Sequence, residues 1–195
     1  MTFEIIDNFI SEESQQYIQR MFESDQFYWR CVDTLNYDPG VQENSKLFNR
    51  KMFSSRLWYG DGYMDEVVKH FPLPEFKTHN LMRAKVNLNL QRREKSFLAP
   101  HADSLDPGTI SYFYYVNESD GSTVIYPDYV CSHTRHPNSR PPFWIKKVKI
   151  KPKRGRIVKI PANLLHSDDV PNKYSTRIVL NFVFEPKPLL QYPIR

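Results

Sequence analysis

The chain has only two cysteines, Cys31 and Cys131. One pair cannot make the multi-bridge framework of a small secreted scaffold, so cysteine spacing gives no reason to place the protein outside the cell. Long apolar runs are also missing. No stretch approaches the roughly 20 apolar residues that a membrane-crossing helix needs. The first residues, "MTFEIIDNFISEESQQ", lack a basic segment followed by an apolar one, so no secretory leader is expected and a cytoplasmic location is. Neither a repeat nor a low-complexity tail is present. Charge of one sign is scarce as well: 27 basic against 22 acidic residues give +5. That surplus permits an acidic partner without requiring one.

What remains is a folding sequence. Hydrophobic residues make up 40% and aromatics 14% of 195 residues. That is enough for one core, and a single domain over 1–195 is expected. Ser11 caps a helix in which Tyr17, Ile18, Met21 and Phe22 recur at helical spacing. Residues 31–59 read as irregular. A second helix is expected over Tyr63 to Phe71, on the face of Tyr63, Val67, Val68 and Phe71, and Pro72 and Pro74 stop it. The pattern then changes. "LMRAKVNLNLQ" (81–91) alternates Ala84, Val86, Leu88 and Leu90 against Arg83, Lys85, Asn87 and Asn89. "TISYFYYVN" (109–117), "STVIYP" (122–127), "WIKKVKIKPK" (144–153), "GRIVKIP" (155–161) and "TRIVLNFVF" (176–184) are strand-like, separated by turn signals. The class is therefore mainly β with N-terminal helices. Residues 1–80 read as helical support and irregular chain, 81–185 as a sandwich or barrel core, and 186–195 as a tail. The asparagines of the first strand face either solvent or a polar barrel interior, and periodicity fits both.

Three potential ligands stand at strand edges. His101 and Asp103 lie in "APHADS", and His166 lies in "NLLHSDD". Two imidazoles and one carboxylate suit one face of an octahedral Fe(II), with three positions open for chemistry. Arg177, eleven residues beyond His166, opens the next strand. Its guanidinium can meet a dicarboxylate through paired charged hydrogen bonds.

With "APHADS", "TISYFYYVNESDGSTVIYP", "VKIKPKRGRIVKIPANLLHSDD" and "STRIVLNFVF" in place, residues 81–185 resemble the Fe(II)- and 2-oxoglutarate-dependent oxygenases. The resemblance is to their small prolyl-4-hydroxylase-like branch. It implies a double-stranded β-helix, a jelly-roll or cupin-like barrel braced by helices, with the asparagine face of the first strand turned inward. It implies His101, Asp103 and His166 as metal ligands and Arg177 as the grip on the far carboxylate of 2-oxoglutarate. Tyr115 would be a hydrogen-bond partner of that carboxylate, and Asn89 and Asn181 further cosubstrate contacts. Fe(II), 2-oxoglutarate and O2 would be used, with ascorbate as an accessory reductant. The implied reaction hydroxylates a protein, peptide or other small substrate and releases succinate and CO2. Because the acidic ligand is present as Asp103, hydroxylation is favoured over halogenation.

Rival readings accompany these residues. Tyr115 also suits a plain core position. Cys131, His133 and His136 offer soft and imidazole ligands for zinc but no fourth ligand; a loop over 129–144 acting as a substrate lid is the preferred reading. The basic run from Lys146 to Arg156 suits phosphates or an edge strand kept soluble. Nucleic acid is thus a possible but unfavoured partner, and a membrane is not expected; the alternatives are a nucleic-acid demethylase of the same superfamily and a non-catalytic metal-binding barrel. Phe48, Phe53, Trp58, Tyr59 and Tyr63, with Arg50, Lys51 and Arg56, form a candidate substrate rim or part of the core.

Overall fold

The computed structural model describes residues 3–32, 52–92, 100–132 and 145–188. Among these residues, ten strands form two antiparallel sheets, accompanied by three helices. The strands are β1 (Glu4–Ile6), β2 (Arg30–Val32), β3 (Met52–Leu57), β4 (His79–Leu90), β5 (Ile110–Tyr115), β6 (Thr123–Val130), β7 (Val148–Ile150), β8 (Ile157–Pro161), β9 (Leu164–Asp168) and β10 (Thr176–Pro186). The larger sheet has the order β1-β8-β5-β10-β4-β3-β2, and the smaller β7-β6-β9. This is the double-stranded β-helix. The helices are α1 (Glu12–Glu23), α2 (Tyr63–His70) and the single turn α3 (Glu75–Thr78).

Each long strand of the larger sheet divides its side chains by parity. In β4, Ala84 and Val86 turn to the helices, while in β10 Ile178, Leu180 and Phe182 do the same. They meet Ile18 and Phe22 of α1 and Met64 and Val67 of α2. Phe71, just past α2, packs edge-on against Tyr114 at 4.7 Å and against Phe182 at 5.4 Å. Each such pair adds about 0.5–1.5 kcal/mol beyond area burial. The other parity of β5, β8 and β10, including Phe113, Tyr115, Val158, Ile160 and Val179, meets Ile125, Ile150 and Leu164 of the smaller sheet. The polar side chains of β4 stand on this second face.

The local expectations fared unevenly. Ser11 does cap α1, its hydroxyl accepting from the Ser14 N–H at 3.2 Å. Tyr17 leaves the apolar stripe and reaches Glu66 with its hydroxyl. Leu90, at the strand end, is exposed. The N-terminal third is not only helical support. β1 extends the larger sheet beside β8, and β3 pairs with β4 from Phe53↔Leu88 to Leu57↔Ala84. Strand pairing overrides weak local patterns in both cases. His166 lies inside β9 rather than just past a strand. Among the described residues of "WIKKVKIKPK", Val148–Ile150 pair as a strand. Phe48, Arg50, Lys51, His133 and His136 lie outside the described residues, as does most of the 129–144 loop. No described helix is long and apolar enough to cross a membrane.

Candidate metal centre

His101 and His166 are brought together by backbone. The His101 N–H donates to the His166 carbonyl at 2.8 Å, and the His166 N–H donates back at 2.9 Å. This bridge sets the two rings 4.5 Å apart. Two residues on, the Asp103 N–H donates to the Ala162 carbonyl at 2.9 Å, fixing the carboxylate beside them. One ligand atom from each of the three residues falls within 4.8 Å of the others. An octahedral ion with bonds near 2.1 Å needs neighbouring ligands about 3 Å apart, so small side-chain rotations suffice.

The protonation states suit a cation. His166 Nδ1 lies 2.9 Å from the Leu164 carbonyl. A carbonyl only accepts, so Nδ1 carries the proton and Nε2 keeps its lone pair toward the site. That Nε2 lies 3.8 Å from Asp103 Oδ2. Burial opposes ionisation of Asp103, but His166, Arg83, His101 and the Ser111 hydroxyl outweigh it and hold the carboxyl well below its usual range. Ser111 Oγ donates to Oδ2 at 2.7 Å, and Asn181 Nδ2 donates to the same oxygen at 3.3 Å. Arg83 pairs with Oδ1 and also donates to Asn181 Oδ1 at 3.1 Å. Asn181 is therefore placed against the acidic ligand, not against Arg177.

The three residues open on a cleft lined also by Met52, Lys85, Asn87, Phe113 and Asp168. The asparagine-bearing face of β4 points into it. Behind Asp168 lies a second cluster. Arg177 is 1% exposed. Its Nε donates to the Gly121 carbonyl at 2.6 Å, and its Nη2 donates to Thr123 Oγ1 at 2.7 Å and Asp168 Oδ1 at 2.6 Å. Nη1 is buried with no partner. The Tyr115 ring lies 5.8 Å from this guanidinium. Its hydroxyl makes no hydrogen bond of normal geometry and is fully buried. Burial pushes the phenol up to about 12, against the pull of the Arg177 charge and the Thr123 hydroxyl. Asn89 stands opposite Arg177 in the β4–β10 register, and its Nδ2 is also buried without a partner. Buried donors are normally satisfied, and each orphan costs about 1–3 kcal/mol. Three of them together mark a place for an acceptor-rich ligand.

Gly121 sets the floor of this cluster. A Cβ there would stand 2.6 Å from the Asp169 carbonyl oxygen, 2.9 Å from the Pro171 nitrogen and 3.0 Å from Arg177 Cδ. Only glycine lets its carbonyl come so close to the arginine.

Arg83, Ser111 and Asp168 were not singled out from sequence. Parity held the signal: Ser111 shares a face with Phe113 and Tyr115, and Asp168 shares one with His166. Of the Cys131 alternative, His133 and His136 lie outside the described residues, and Cys131 itself is buried. Four cations of the basic run are engaged in ion pairs at its own surface. Lys149 pairs with Asp169, Lys153 and Arg156 with Asp7, and Arg154 with Glu12. Of the candidate rim, Trp58 and Tyr59 are exposed, while Tyr63 packs edge-on against Phe27.

No family model matches the sequence, and none of the curated proteins matches it. Solved structures do share its fold. The non-heme α-ketoglutarate-dependent epimerase SnoN from nogalamycin biosynthesis superposes with a TM-score of 0.67 at 13% identity, over 94% of this chain and 76% of that one. HygX from Streptomyces hygroscopicus, solved with nickel and 2-oxoglutarate, gives 0.64 at 10% identity, over 96% and 84%. A Trichoplax adhaerens prolyl hydroxylase, solved with a hypoxia-inducible-factor peptide fragment, gives 0.59 at 14% identity, over 94% and 83%. At these identities the likeness establishes a shared double-stranded β-helix fold.

Proposed function

We propose that this chain is an Fe(II)- and 2-oxoglutarate-dependent oxygenase that hydroxylates a protein, peptide or amino-acid-like substrate, releasing succinate and CO2. The observation that carries the reading is the pairing of two features in one barrel. A His-Asp-His cluster faces the cleft, and three unpartnered buried donors, Arg177 Nη1, Tyr115 Oη and Asn89 Nδ2, lie behind it. A diacid that is held by a metal at one end and needs donors at the other fits both. The structural relatives SnoN and HygX, solved with this cosubstrate, support the same choice.

His101, Asp103 and His166 would hold the iron, which when bound supplies the activation of O2 coupled to decarboxylation of the cosubstrate. The chain's own residues do the rest. The Leu164 carbonyl keeps the proton on His166 Nδ1, which turns the Nε2 lone pair toward the site. Ser111 and Asn181 orient the Asp103 carboxylate. Arg177, itself fixed by Gly121, Thr123 and Asp168, receives the distal carboxylate, with Tyr115 and Asn89 donating beside it. Phe113, 5.0 Å from the His166 ring, walls the site with apolar surface and limits water.

Prolyl hydroxylation is the nearest analogy for the substrate, supported by the sequence resemblance and by the peptide-bound relative. A nucleic-acid demethylase is the less favoured alternative, because four cations of the basic run are already engaged in ion pairs. Cell extract incubated with the iron-loaded protein and 2-oxoglutarate tests the reading. A peptide or amino-acid-like product heavier by about 16 Da, one inserted oxygen atom, is the expected result. Repair of methylated bases without any such product would overturn the substrate assignment.

A further inference from the structure

The cleft holds a cation that the proposed chemistry leaves unused. Lys85 stands on the cleft face of β4, between Arg83 and Asn87, and lines the cavity with the metal-ligand candidates. It makes no ion pair or side-chain hydrogen bond among the described residues. Arg56 of β3 lies directly across from it in the sheet register; it is exposed, stands outside the cleft lining, and has no such partner among the described residues either. Like charges directly opposite on neighbouring strands are destabilising. Arg83, two residues away on the same face, brings a third positive charge, although it is paired with Asp103. The strain is visible on Lys85, whose pKa is lowered by burial first, then by Arg83 and Arg56, against the pull of Asp103 and Asp168.

Loading the site does not relieve this. Asp168 is committed to Arg177, and Asp103 is both Arg83's partner and a metal ligand. A divalent metal and a dianionic cosubstrate cancel each other, so the positive excess around Lys85 and Arg56 persists. The distal carboxylate of the cosubstrate has its own donors at Asn89, four residues or about 13 Å further along β4. The Asn87 Oδ1 and Arg83 Nε atoms beside Lys85 are buried without partners as well.

Resting on the oxygenase reading, we infer that Lys85 anchors the substrate in the cleft, with Arg56 beside it at the exposed rim, and that the substrate carries an anionic oxygen group, a carboxylate or a phosphate, on the part that enters the cleft. An unpaired cation tolerated at a cost to stability is a specificity device: it favours an anionic substrate and rejects a neutral isostere, which would leave the cations unpaired. Arg83 is the metal ligand's partner and stays outside this subsite.

Sulfate and acetate serve as probes, titrated calorimetrically into protein loaded with nickel and 2-oxoglutarate, and again into the unloaded protein. One of the two should bind the parent. Lys85→Gln should weaken that binding by about tenfold or more, the loss expected for one charged hydrogen bond. Arg56→Gln should weaken it less, and Lys146→Gln, remote from the cleft, not at all. The tighter probe names the substrate group: sulfate for a phosphate, acetate for a carboxylate. Lys85→Gln should keep its affinity for 2-oxoglutarate and, freed from repulsion, melt higher than the parent. Equal probe binding in Lys85→Gln, no probe binding by the parent, or a parallel loss of 2-oxoglutarate affinity would overturn the subsite. Failure of the parent to bind 2-oxoglutarate would instead strike the oxygenase reading, while the unloaded titration still decides the anion site.

Discussion

Replacing Arg177 by methionine removes a buried guanidinium nitrogen, Nη1, that has no partner among the described residues. If that nitrogen meets the distal carboxylate of 2-oxoglutarate, its loss costs binding about 2–5 kcal/mol, the range for truncating one partner of a buried charged pair. That corresponds to roughly 30-fold to several-thousand-fold in Kd. The same substitution strands Asp168, Thr123 and the Gly121 carbonyl, which now accept from the arginine. Breaking a buried pair costs about 3–5 kcal/mol, and the partial exposure of Asp168 points to the low end. Stability and affinity must therefore be separated. Arg177→Lys helps, because it keeps a cation near Asp168 but cannot offer a second guanidinium nitrogen, and it should fall between parent and methionine in affinity. The assay is calorimetry of 2-oxoglutarate with nickel in place of iron, on protein shown to be folded by circular dichroism. An unchanged affinity in folded Arg177→Met would mean that another residue holds the carboxylate, and the second cluster would lose its assigned role.

Tyr115→Phe should weaken 2-oxoglutarate by about 0.5–3 kcal/mol while raising the melting temperature of the unloaded protein, since a buried unpaired hydroxyl is removed; calorimetry and thermal melts check the opposite signs. Gly121→Ala should destabilise the fold by about 1–3 kcal/mol through overpacking against Asp169 and Pro171, and weaken cosubstrate binding by displacing Arg177; urea melts and the same calorimetry read both. Asp7 has its pKa lowered to about 2, first by hydrogen bonds from Arg156 and Lys153. A depressed carboxyl stabilises the fold above its unfolded value and loses that contribution as pH falls from near 4 through about 2. The group is largely exposed, so Asp7→Asn should cost at most about 1 kcal/mol at neutral pH. The difference from the parent should vanish in the acid limb of a pH series of melts.

Much of the site could be read from the sequence because its chemistry lies on strands of regular parity. The alternation of 81–91 separated Ala84 and Val86 from Arg83, Lys85, Asn87 and Asn89; the structure turns the first three of these into the cleft and sets Asn89 opposite Arg177. His101, Asp103 and His166 were legible as residue types in order, but their convergence depends on the backbone bridge between His101 and His166, a long-range pairing that no local pattern encodes. The partners of the ligands were harder still. Ser111 reads as one polar residue in an aromatic strand, and Asn181 reads like a cosubstrate contact because it shares a face with Arg177, yet it donates to Asp103. Parity fixes a face but not a depth along the barrel. β1 and β3 escaped notice because short strands borrow their stability from the neighbours they pair with, and these neighbours are far away in the chain. Residues 31–59 therefore looked irregular although part of them completes the larger sheet.

In the proposed function, one metal held by His101, Asp103 and His166 drives oxidation at the expense of 2-oxoglutarate. Succinate formed from 2-oxoglutarate in air is the direct measure, with parent and Asp103→Ala compared at matched Fe(II). The parent should produce succinate only when iron is added. Asp103→Ala should lose iron binding and turnover together while keeping a cooperative melt. Succinate formation by Asp103→Ala at the parent's rate, or none by the folded, iron-loaded parent even when supplied with substrate from cell extract, would contradict the account.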